Sequence, residues 1–190
     1  MIKELYFQEQ GLEVFLDKLQ AQKWLDLFAN TQHGCSADAL AEFYAHCSVT
    51  QGVVTSTVGG KTFEFDAPIL GEILGVPATG FEAYVREDKT ALAPARLLEI
   101  ARKLGQNPRL TTPQSVKKGD MLPLHQLLYW FVIKNVIPRG QRRNFADVLD
   151  QCLVDLLDRE EQINLPAIMI RHIARMANPS KEHDLSLIHI

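Results

Sequence analysis

Six acidic side chains, Asp147, Asp150, Asp155, Asp158, Glu160 and Glu161, crowd one short stretch of a 190-residue chain. Carboxylates at that density are what a two-metal phosphoryl-transfer centre requires, because paired cations bridge the attacking and leaving oxygens. Enzymes of that kind project their carboxylates from a strand-rich scaffold. Here the acids lie on and just beyond one helical segment, mostly opposite its apolar stripe of Leu149, Cys152, Leu153, Leu156 and Leu157, and they read as a solvated helix face. His33, Cys35, His46 and Cys47 offer zinc-binding atoms, but their spacing matches no recognised zinc pattern. Cys47 falls in register with Phe43, as a small core residue would. A thiolate nucleophile built from Cys152 with His125 or His172 needs access and an electropositive setting, and Cys152 sits on the apolar stripe. Val58-Gly59-Gly60-Lys61 lacks phosphate-loop spacing and reads as a hairpin turn. No catalytic residue, metal ligand or cofactor-binding residue is assigned, and the expectation is a protein that is not an enzyme and implies no small-molecule ligand.

The basic residues point elsewhere. Lys117 and Lys118 precede an apolar segment, Arg139, Arg142 and Arg143 follow it, and Arg171 and Arg175 stand four apart on a helical face. Converging, they would contact phosphates, with Tyr129 or Trp130 able to stack on bases if either is exposed. The competing reading is that each is solvated or paired with Asp147, Glu160 or Glu161.

The elements that must position these groups follow from periodicity. The stretch from Met121 to Ala177 organises the chain in three apolar segments punctuated by Pro138-Arg139-Gly140 and Asn164-Leu165-Pro166. The first, with Leu122, Leu124, Leu127, Leu128, Tyr129, Trp130, Phe131, Val132, Ile133, Val136 and Ile137, is apolar on nearly all sides and belongs at the centre of a core. The second and third are one-sided helices, the third carrying Leu165, Ile168, Met169, Ile173 and Met176. Asn144 reads as the N-cap of the second helix with Asp147 at its third position, and Asn164 as the cap of the third.

Upstream, Leu12, Phe15, Leu16 and Leu19 form one helical stripe, and Trp24, Leu27 and Phe28 continue it after a break near Ala21. Ser36 caps a helix carrying Leu40, Phe43, Tyr44 and Cys47. Val53–Val58 and Lys61–Phe65 flank Gly59-Gly60 as a β-hairpin that pairs Val58 with Lys61, Ser56 with Phe63 and Val54 with Phe65. Asp66, Pro68 and Gly75 start and stop a short helix whose buried side is Ile69, Leu70, Ile73 and Leu74. Pro94 opens another, with Leu97, Leu98, Ala101 and Leu104 inward and Arg96, Arg102 and Lys103 on other faces.

An apolar content of 46% over 190 residues supports a single core, and a net charge of -3 gives no global basic footprint for a dedicated nucleic-acid binder. Three cysteines with no CxxC pair suit reduced thiols, and MIKELYFQEQ lacks the apolar run of a secretory signal, so the chain is expected inside the cell, in nucleus or cytoplasm. Leu122 to Ile137 is short for a membrane span and contains His125, Gln126, Lys134 and Asn135, so no membrane is implied.

Three long runs, FDAPILGEILGVPATGFEAYVREDKT, TPQSVKKGDMLPLHQLLYWFVIKNVIPRG and NFADVLDQCLVDLLDREEQINLPAIMIRHIARMAN, resemble the putative plant transposon protein domain, from about Leu27 to Leu185. The resemblance implies an origin in a mobile element and imports no catalytic or ligand residues. Members continue past the Glu182-His183-Asp184-Leu185 match with a Gly-rich, apolar segment, whereas this chain closes with LSLIHI, which is also a translation of the transposase mosaic-end adapter of sequencing libraries. The expectation is one α-rich α+β domain over residues 1–184, predominantly helical around one buried helix with a single β-hairpin, followed by a non-native tail at 185–190. Its expected role is binding, to its own copies or to nucleic acid. The alternatives are an N-terminal fragment of a transposition enzyme or a domesticated host interaction module.

Overall fold

The computed structural model of the chain describes residues 13–29, 34, 36–83, 92–138 and 144–177. Helices α1 (Glu13–Ala21) and α2 (Leu25–Ala29) lead to α3 (Ala37–Ala45), then to strands β1 (Ser48–Thr50), β2 (Val53–Val58) and β3 (Lys61–Phe65). Helices α4 (Ala67–Leu74) and α5 (Pro94–Leu104) follow, then β4 (Val116–Lys117) and α6 (Pro123–Phe131), which runs on as a π-helical turn over Val132–Val136. Strand β5 (Phe145–Ala146) pairs with β4, and α7 (Val148–Asp158) and α8 (Leu165–Ala177) complete the order. The architecture is α+β and mostly helical, as expected.

The β component is larger than the single hairpin anticipated. The β2–β3 register is the expected one, Val58 to Lys61 through Val54 to Phe65, across Gly59 and Gly60 at φ of 57° and 72°. β1 adds a third strand through a second tight turn in which Gln51 and Gly52 both take positive φ. Its three residues show too little alternation to stand out by pattern alone.

The main core gathers α1, α5, α6, α7 and the start of α8, with the half-buried α2 packed against it. Phe15, Trp24 and Phe28 each meet the Phe131 ring, with centroids 5.8, 6.2 and 4.9 Å away, and so fasten the N-terminal helices to α6. Val54, Leu70 and Ile170 form a smaller cluster beneath the sheet. Gly80 marks a close approach: at φ +104° a Cβ there would lie 2.2 Å from the Gln162 carbonyl oxygen, beside the parallel bridge of Phe81 to Ile163.

Three expectations are corrected. The helix starting after Asn144 in fact starts after Asp147, whose carboxylate accepts from Asp150 N at 3.0 Å while Asp150 Oδ2 accepts from Asp147 N at 2.8 Å. Asn144 and Phe145 are instead drawn into pairing with Lys117 and Lys118. On α4, Leu70 and Gly71 are buried, whereas Ile69 and Ile73 are exposed, Ile73 to 69%. Both faces of that helix are apolar, so periodicity could not say which one packs. Finally, α7 is enclosed on every side from Leu149 to Leu157, which makes it, and not α6 alone, the centre of the core.

Candidate nucleic-acid interface

The enclosure of α7 changes the reading of its acids, which are not a solvated face. Asp150 closes the capping box, and Gln151 donates to the carbonyls of Gln114 and Ala146 at 2.8 and 3.0 Å. Asp155, 1% exposed, meets Lys103 Nζ at 2.8 Å, Arg96 Nη2 at 3.0 Å and Arg159 Nε at 3.5 Å. Asp158 takes Lys103 Nζ at 2.7 Å and His125 Nε2 at 3.2 Å. Burial raises the Asp158 carboxyl, but Lys103, by hydrogen bond and charge, and then His125 outweigh it and hold the group below its ordinary range. Burial likewise works against the Lys103 ammonium, and its bonds to Asp155 and Asp158 win and raise it. Cations therefore fill the positions a metal would need, and among the described residues no three His, Cys, Asp or Glu side chains gather as a metal site.

Cys152 is buried, and its thiol is pushed up to about 12 by burial first and then by Asp155 and Asp147. It stays protonated near neutrality, where a nucleophile must ionise. The His125 ring is committed through Nε2 to Asp158, and its buried Nδ1 has no partner. Of the zinc candidates, His33 and Cys35 lie outside the described residues, His46 Nδ1 sits 3.0 Å from the Glu42 carbonyl, and Cys47 is half-buried.

The basic candidates separate into groups. Arg139, Arg142 and Arg143 lie outside the described residues. Arg171 is 3.7 Å from Glu82, and Arg175, one turn further along α8, is exposed. Lys117 and Lys118 are brought to an aromatic surface. Val116 and Ala146 face the core, so the β4–β5 pairing turns Lys117 and Phe145 outward together. Lys118 follows in a 3-10 turn (Lys118–Asp120), where its Nζ stands 4.7 Å from the centroid of the Trp130 ring. Lys134, in the π-helical turn, approaches the same ring at 5.7 Å. Trp130 is 37% exposed and Phe145 51%, large values for aromatic side chains flanked by cations. Two acids stand equally near this group in sequence: Asp120 ends the same 3-10 turn, two residues from Lys118, and Asp147 caps α7 two residues after Phe145.

Of the two aromatics considered for stacking, Tyr129 is excluded: it is fully buried and donates its hydroxyl to the Phe145 carbonyl at 2.9 Å. That bond ties the Phe145 backbone to the helix carrying Trp130. Phe145 and Lys134 escaped the sequence reading. The spacing from Trp130 to Lys134, one helical turn, was a readable signal, but nothing local revealed that Phe145 would face outward.

No helix among the described residues is long and apolar enough to cross a membrane. The family model described as putative plant retrotransposon-related domain matches residues 20–189. No curated protein and no solved structure matches the chain.

Proposed function

Because the chain belongs to the putative plant retrotransposon-related domain family, and so derives from a mobile element, we propose that it is a non-enzymatic protein that binds single-stranded nucleic acid. Bases stack on Trp130 and Phe145, and Lys117, Lys118 and Lys134 meet the phosphates. The observation that carries this reading is the Lys118 ammonium poised 4.7 Å from an exposed indole. A surface cation–π contact contributes about 0.5–1 kcal/mol, whereas stacking a base on an aromatic contributes about 1–3 kcal/mol. An incoming base therefore displaces the lysine from the ring, and the freed ammonium stays within reach of the adjoining phosphate. Duplexes keep their base faces covered and offer only the phosphate part of this interaction.

That binding and not turnover is the activity is supported by the state of the reactive groups: the Cys152 thiol holds its proton, and Asp155 and Asp158 are saturated by cations.

Anisotropy of a labelled, unstructured oligouridylate tests the reading. Affinity should fall steeply with added salt, Trp130→Ala should weaken it by about tenfold, and Lys118→Ala should lower the salt slope by about one unit. Affinity indifferent to Trp130→Ala, or insensitive to salt, would overturn the proposal.

A further inference from the structure

We infer that two copies of this chain join through the free edge of β3, extending each three-stranded sheet into a six-stranded one. The sheet order is β1-β2-β3, so β3 is an edge among the described residues. The two-residue turn at Gly59-Gly60 makes Val58 and Lys61 a hydrogen-bonded pair, and the antiparallel alternation then gives the same role to Ser56 with Phe63 and Val54 with Phe65. Lys61, Phe63 and Phe65 therefore spend their backbone groups on β2, while Thr62 and Glu64 direct theirs outward. Residues 61–64 are all exposed, and among the described residues no backbone hydrogen bond reaches the outward groups of Thr62 or Glu64.

This edge is complementary to itself. A two-fold axis normal to the sheet, placed between two copies of Phe63, sets Thr62 opposite Glu64 of the second copy, and the reverse. Each such pair exchanges two backbone bonds, so every outward group from Thr62 to Glu64 finds a partner. The same axis keeps the two apolar faces on one side, because residues that oppose each other point to the same face. A one-residue slip would set Phe63 against Thr62 and turn one copy's apolar face to the other's polar face.

Side chains agree with this register. Phe63 is 37% exposed, and its ring stacks on Phe43 and Phe65 at 6.2 and 6.3 Å with interplanar angles of 13° and 16°. The row ends at the edge, and the second Phe63 would continue it at the closest cross-strand spacing. Lys61 would lie opposite the second copy's Phe65, cation beside ring. The Glu64 carboxylate is turned away from the edge, accepting from Thr55 Oγ1 at 3.1 Å within its own sheet, and Thr62 Oγ1 is likewise held at 2.8 Å by Thr57. The surface is separate from Trp130 and does not depend on nucleic-acid binding.

Mass by light scattering and amide hydrogen exchange, both over a concentration series of the intact chain, test the inference. The mass should rise from one copy to two, and the Thr62 and Glu64 amides should gain protection over the same range. Phe63→Lys should raise the dimer dissociation constant by about tenfold or more by opposing two ammonium groups. Thr62→Pro removes an outward N–H without touching the β2–β3 ladder and should do the same. A mass fixed at one copy, a dimer whose Thr62 and Glu64 amides exchange as fast as in the monomer, or folded variants with unchanged dissociation would each overturn it.

Discussion

Asp155 lies at the centre of the buried charge network, and three cations from two elements converge on its carboxylate. Removing one member of a buried pair is costly because the other is left without compensation. Here the cost is tempered, since Lys103 keeps Asp158, and Arg96 and Arg159 keep Glu161 at 3.6 and 3.3 Å. Asp155→Ala is therefore expected to destabilise the chain by about 2–3 kcal/mol, read as a lower urea midpoint with helical content retained below it. The acids of this stretch were visible in the sequence, but their partners were not. Lys103 and Arg96 lie 52 and 59 positions from Asp155, and no local pattern distinguishes a carboxylate facing water from one facing a distant lysine. Caps whose partners are three residues away were legible: Ser36, Asp66 and Asn164 all accept from the backbone N–H expected of them.

At the level of elements, short-range chemistry again decided what could be read. The Gly59-Gly60 hairpin carries its register in its own turn, and Gly75 ends α4 at φ 69°, as its position suggested. The start of α7 was misplaced because Asn144 and Asp147 are both good caps, and the choice between them is made by the pairing of Phe145 and Ala146 with Lys117 and Val116, far off in sequence. Asp147→Ala should cost about 1–2 kcal/mol in thermal or chemical unfolding, because it removes the bond to Asp150 N and leaves the buried Asp150 to hold the capping box alone. Asn144→Ala, by the same account, should change stability by under about 0.5 kcal/mol. The π-helical turn at Val132–Val136, which contains Lys134, had no sequence signal, although the four-residue spacing from Trp130 to Lys134 did.

For the whole molecule, a net charge of -3 and a local cationic aromatic surface are compatible because a total charge does not fix how charge is distributed over the surface. Asp150 closes a cap and Asp155 and Asp158 pair with Arg96 and Lys103, while Lys118 and Lys134 both approach the Trp130 ring and Lys117 stands opposite Phe145 on the β4–β5 pair, with Asp120 in the turn that carries Lys118. The β3 edge, where we infer that two copies pair, belongs to a different element of the same chain. The chain carries two tryptophans, and they report on different places: Trp24 is fully buried against Phe131, and Trp130 stands at the surface. Titration of the 15N-labelled chain with an unstructured oligouridylate, followed at the two indole N–H resonances, tests base stacking directly. The Trp130 signal should shift and saturate with the binding isotherm while Trp24 stays in place; saturable binding that leaves Trp130 unmoved would contradict the account.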